Sequence, residues 1–149
     1  MSAIGADKYS LKNIETLHSA INKTVRDLWM PYSDRIRITC GFRNREDQEK
    51  AFQSGKSNAH FGESYHSYGL AFDSCILLQG GQVDFRVENY PFYLEFIKLL
   101  KDEGFSYSGD WKEKGFKENG HTEYNVIPIS KLKTYAKDEN GYPIIPGEN

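Results

Sequence analysis

One carboxylate set inside an apolar run constrains this chain more than any other feature. Residues 70–78 read Leu-Ala-Phe-Asp-Ser-Cys-Ile-Leu-Leu, a β-rich stretch with Asp73 in its middle. Alternate residues of a strand share a face, so Asp73 goes with Ala71, Cys75 and Leu77 and points toward protein rather than water. Burying an ionised carboxylate is costly unless a cation compensates it. A paired Arg or Lys would serve, and so would a metal ion; the strand alone does not choose between them.

Around this strand the pattern switches between helical and strand periodicity. Ile14, Leu17, Ile21, Val25 and Leu28 recur at three- and four-residue spacing. That predicts one amphipathic helix over 10–30, with Ser10 as N-cap and Pro31 as its stop. Residues 35–40 alternate, with Ile36, Ile38 and Cys40 on one face, and read as a strand. Asn44 offers an N-cap for a short helix over 45–54, closed by Gly55. Residues 55–68 lack periodicity and read as a loop. Gln79-Gly80-Gly81-Gln82 is a hairpin turn signal, with a returning strand over 83–85. Pro91 suits the first turn of a second long helix, about 91–103. Its apolar face is Phe92, Phe96, Leu99 and Leu100, and Gly104 ends it. Strands are expected over 105–108 and 121–126, around a polar loop. The tail over 127–149 is expected to lie over the surface. Helices interspersed with hairpin-connected strands indicate an α+β fold, a small mainly antiparallel sheet flanked by helices.

The 149 residues suit a single domain, 1–149. A chain of this size buries roughly 70% of the surface its unfolded form exposes, enough for a core without staples. The formal net charge of −2 argues against nucleic acid as a partner. No apolar run approaches the ~20 residues of a membrane span. The N-terminus lacks a basic start followed by an apolar run, so the expectation is cytoplasmic synthesis without a secretory signal. Cys40 and Cys75 both lie in strand-like runs and read as buried small hydrophobes. Two cysteines exclude a four-cysteine zinc site.

Of the four histidines, His18 reads as a surface or boundary side chain on the first helix, and His60 as a structural or substrate-facing loop residue. His66 stands at the end of the loop, seven residues before Asp73. His121 opens the last strand, with Glu123 on the same face. Two imidazoles and one carboxylate form a three-ligand set for catalytic zinc, with a fourth position left for water. Such a site needs a nearby carboxylate that is not a ligand to move the proton. Glu118, three residues before His121, is the candidate.

Ser64–Asp73 spells Ser-x-His-x-x-Gly-x-Ala-x-Asp. It resembles the signature of the D-Ala-D-Ala carboxypeptidase and L-alanyl-D-glutamate endopeptidase family of zinc peptidases, the VanY-like group that includes phage endolysins. Gly41-Phe42-Arg43 with Gln48 resembles the family's Gly-aromatic-Arg segment. Gly109-Asp110-Trp111 and Glu118-Asn119-Gly120-His121-Thr122-Glu123 resemble its closing motif. The similarity runs over residues 10–126, on a hedgehog/D-Ala-D-Ala-peptidase-like scaffold. It implies His66, Asp73 and His121 as zinc ligands and Glu118 as the general base. It also implies Arg43 as the cation that polarises the scissile carbonyl or holds substrate, and Ser64 as a substrate contact. Two positions depart from the pattern: Gly120 stands where proline is frequent, and Glu118 where many relatives carry Asp. Tyr65, Tyr68 and Trp111 are either groove walls or packing residues.

The implied activity is zinc-dependent hydrolysis of a peptidoglycan stem-peptide bond, first the L-Ala–D-Glu bond in an endolysin-like enzyme. A D-Ala-D-Ala carboxypeptidase and a non-catalytic zinc module that binds wall peptide or a protein are the alternatives. The expected partner is the stem peptide, met by a monomer acting on the wall after its release.

Overall fold

Among the described residues the first elements are two helices, not one: α1 (Lys8–Glu15) and α2 (Ser19–Trp29). The structure, a computed structural model, describes residues 7–55, 57, 59–110 and 120–146. The apolar stripe expected over 10–30 is real, but hydrogen bonds to other segments break it at residues 16–18. The His18 backbone N–H donates to Gly69 O at 2.8 Å, and its Nδ1 accepts from Ala20 N at 2.9 Å as the N-cap of α2. His18 is therefore no surface residue; it is 2% exposed, with Nε2 2.6 Å from Pro143 O. Ser10, expected as N-cap, is buried inside α1. Its hydroxyl donates to Asp7 and accepts from Ile38 N, and Asp7 holds the cap position. Pro31 sits within a 3-10 turn, Met30–Tyr32, that follows α2 directly.

The middle of the chain follows its pattern more closely. Strand β1 (Ile36–Cys40) leads to α3 (Arg45–Gln53), whose cap is Asn44, accepting from Asp47 N at 2.8 Å. Strands β2 (Ala71–Leu77) and β3 (Val83–Asp84) form the hairpin, and α4 (Pro91–Asp102) follows. Strands β4 (Ser106–Tyr107) and β5 (His121–Glu123) are shorter than expected. The sheet order is β1-β2-β5-β4, every pair antiparallel, with β3 pairing the far end of β2. This is the α+β, antiparallel architecture that the sequence predicts.

Strand β2 is central, and its register sets up everything that follows. Asp73 is the partner of Cys40 on β1 and of His121 on β5, so the three lie in one row across the sheet. The neighbouring Phe72 points the other way. Its ring meets Phe96 of α4 and Phe105, within a core that also holds Trp29, Ile36, Ile38, Tyr93 and Leu100. One face of β2 thus anchors the core while the other presents Asp73.

The tail runs over the surface, as the proline content suggested, but it is pinned at Leu132 and Pro143, which are buried. One helical turn, Ile129–Leu132, buries Leu132 completely. Farther on, the Tyr142 hydroxyl donates to Thr16 O, and Pro143 O meets His18. Among the described residues no helix is long and apolar enough to cross a membrane.

Candidate metal centre

The motif around His66 is a folded unit in its own right. Ser64 caps a 3-10 turn, Tyr65–Tyr68, by accepting from His66 N at 3.2 Å. Gly69 closes the turn at φ 71°, a left-handed conformation that favours glycine. A Cβ at Gly69 would also sit 2.9 Å from His18 N. The serine and glycine of the motif therefore fix the backbone on which the histidine stands. A bond from Arg43 N to His66 O, 2.9 Å, ties this turn to the segment after β1.

Both imidazoles converge on one carboxylate oxygen. His66 Nε2 lies 3.2 Å from Asp73 Oδ1, and His121 Nδ1 lies 3.1 Å from the same atom. The far nitrogen of each ring is also held. His66 Nδ1 is 2.7 Å from Gly41 O, and His121 Nε2 is 2.8 Å from Glu123 Oε1. A carbonyl only accepts, so Nδ1 of His66 carries the proton and Nε2 is left to face Asp73. The other oxygen, Asp73 Oδ2, accepts from Arg43 Nη2 at 3.0 Å. The two compensations left open by the sequence, an arginine and a metal-ligating cluster, thus meet at the two oxygens of one side chain.

The electrostatics follow from burial against pairing. Burial by itself raises the Asp73 carboxyl, but the two imidazoles outweigh it and hold the group well below the usual carboxylate range. Burial by itself lowers both imidazoles. The Asp73 carboxylate outweighs it at His66, and Asp73 with Glu123 outweighs it at His121, so both end above the ordinary histidine value.

The donor set fits a divalent transition metal. Ligands at 2.0–2.1 Å from a tetrahedral ion stand about 3.3 Å apart, close to the spacings here. Outer acceptors on the far nitrogens are the usual way ligating histidines are oriented. Cys40, His66 and Asp73 also bring ligand atoms within 4.8 Å of one another. Cys40 is thus not the buried small hydrophobe expected from its strand; it is half-buried with Sγ 4.0 Å from His66 Nδ1, the nitrogen turned toward Gly41. Cys75 does match that expectation, and burial pushes its thiol up to about 11.

The other predicted residues divide into four groups. Arg43 and Ser64 stand in contact with Asp73 and the His66 turn, as described. Glu118 and Trp111 lie outside the described residues. Tyr65 and Tyr68 are tied into the fold, their hydroxyls donating to Ile127 O and Gly62 O. His60 pairs with Glu49 at 2.8 Å, and its ring meets that of Phe52 at a tilt of 34°. Sequence reasoning placed Gln48 in the segment with Arg43 but did not foresee its burial, and it passed over the neighbourhood of Cys40, since neither follows from local spacing.

Comparison with known proteins agrees with the resemblance seen in the motifs. A family model described as D-alanyl-D-alanine carboxypeptidase matches residues 57–124. That span holds Ser64, His66, Asp73, Glu118 and His121, but not Arg43. The peptidoglycan L-alanyl-D-glutamate endopeptidase CwlK of Bacillus subtilis (strain 168) is 33% identical, over 62% of this chain and 61% of its own length. The chain therefore spans about three-fifths of that curated relative. The crystal structure of the Serratia marcescens L-Ala D-Glu endopeptidase ChiX has the same fold, with a TM-score of 0.60 at 22% identity. That match covers 77% of this chain and 85% of the other.

Proposed function

We propose that the chain is a zinc-dependent peptidoglycan peptidase that hydrolyses a stem-peptide bond, the L-Ala–D-Glu bond. The observation that carries this reading is the approach of His66 Nε2 and His121 Nδ1 to one oxygen of Asp73, with each ring's other nitrogen held by an acceptor. His66, Asp73 and His121 would hold the zinc. When bound, zinc supplies a water whose pKa falls to about 7 and a Lewis acid for the carbonyl. Glu118 takes the proton of the attacking water and passes it to the leaving amine. Arg43, permanently charged and planar, holds Asp73 and steadies the developing negative charge on the scissile carbonyl oxygen. Ser64 caps the His66 turn and contacts substrate. The L-alanyl-D-glutamate endopeptidase activity of CwlK supports the choice of bond. The second reading, removal of the terminal D-Ala, is favoured by the description of the matching family model.

Mass spectrometry of fragments released from purified sacculi tests this reading. Fragments with a new D-Glu amino terminus are expected, and none once a chelator has removed the metal. Release of free D-Ala instead would make the protein a carboxypeptidase. Zinc binding with no fragments would make it a binding module. In the same assay Glu118→Gln should keep its zinc and lose roughly 10²–10⁴-fold in rate, the usual share of general acid–base catalysis.

A further inference from the structure

Gln48 is an anomaly on α3. Its neighbours are Arg45, Glu46, Asp47, Glu49 and Lys50, yet Gln48 is wholly buried. A buried amide must find partners for its oxygen and its nitrogen. Gln48 Oε1 accepts from Arg43 Nη1 at 3.2 Å. Gln48 Nε2 donates to Ser57 Oγ at 3.0 Å and to Ala59 O at 2.7 Å. A guanidinium can only donate and a backbone carbonyl can only accept, so the amide has one permitted orientation. Its oxygen must face Arg43.

The next link is the Arg43 fork. Nη1 is held by Gln48 and Nη2 by Asp73 Oδ2 at 3.0 Å. The guanidinium is planar and rigid, so a bond at one nitrogen fixes the direction of the other. With Oδ2 engaged by Arg43, Oδ1 is the Asp73 oxygen that both imidazoles meet. We infer that Gln48 is a positioning residue: acting through Arg43, it sets the rotation of the Asp73 carboxylate and thereby tunes the affinity of the site for zinc. This rests on the reading of His66, Asp73 and His121 as a zinc site.

The test is zinc affinity, measured on the purified full chain by competition with a chromophoric chelator, so no peptidase assay is needed. Loss of outer partners of metal ligands typically costs 10–100-fold in affinity. Gln48→Met, close in volume and without hydrogen bonds, should weaken zinc binding by about tenfold, the low end of that range. In an Arg43→Ala background the same change should cost less than about twofold, because residues that act in series are not additive. An equal loss in both backgrounds would overturn the inference. Gln48→Glu separates the two ends of the side chain. It keeps an oxygen toward Arg43 but gives up both donations to the 57–59 segment, and its zinc affinity should stay within about threefold of the parent's. If Gln48→Glu binds zinc as poorly as Gln48→Met, or more poorly, Gln48 serves that segment and the inference falls. The Glu variant also decides the matter should the Met variant fail to fold. A parent protein that binds no zinc would defeat the metal-centre reading and this inference together. Zinc binding by the parent with an additive cycle defeats this inference alone.

Discussion

Cys40 and His121 are both register partners of Asp73, approached from opposite sides of β2. Both are metal-ligating types, so the ligand set has two candidates for its third member. Geometry separates them. His121 Nδ1 touches Oδ1, whereas the Cys40 sulfur stands nearest the His66 nitrogen that is turned toward Gly41. Cys40→Ser should therefore retain about one zinc per chain, and His121→Ala should lose it, by metal analysis of the purified variants. The reverse result would put the thiolate in the ligand set and the imidazole outside it. How legible the site was differs by residue. His66 and Asp73 could be read because their motif is local: a serine cap, a short turn, a left-handed glycine and a strand. The place of Cys40 beside the site could not, since it depends on a strand register, and for Gln48 the motif was legible but not its burial, which depends on Ser57 and Ala59 coming back against α3.

Strand β5 enters the sheet through Gly120, at φ 88°. A Cβ there would stand 2.4 Å from Ser74 O, and Ser74 N donates to Gly120 O at 2.9 Å. The glycine is thus set by close approach to β2 as well as by its dihedral. Here lies a physical reason for the departure from the proline frequent in this motif, since proline fixes φ near −65° and cannot adopt this entry. Gly120→Ala should destabilise the protein by about 1–3 kcal/mol, read from the urea midpoint, and weaken zinc binding because His121 follows directly. An alanine variant as stable as the parent would show that the approach relaxes freely. The helices teach the opposite lesson about the sequence. Periodicity runs unbroken from Ile14 to Leu28, so nothing local marks the break at 16–18. It arises from Gly69 and Pro143, far away in the chain, which take up the backbone and the imidazole of His18.

The tail is tied to the rest of the molecule by a buried side chain and by hydrogen bonds. Leu132 is as fully buried as Leu100 in the middle of α4, and the tail returns to α1 and α2 through Tyr142 and Pro143. Leu132→Ala should cost about 2–5 kcal/mol in urea unfolding, the range for a core leucine. A loss under about 1 kcal/mol, typical of a surface site, would show that Leu132 does not anchor the tail. The strand order carries a different consequence. β5, made late, lies between β2 and β4, both made before it. A nascent chain therefore displays His66 and Asp73 before His121 exists, and at about 5–20 residues per second the gap lasts some seconds. During that time the proposed ligand set is one member short, and Glu118 is among the last pieces to arrive. The proposed metal centre is in this way left incomplete until translation has passed residue 121, timed by the order of the strands in the chain rather than by any added segment.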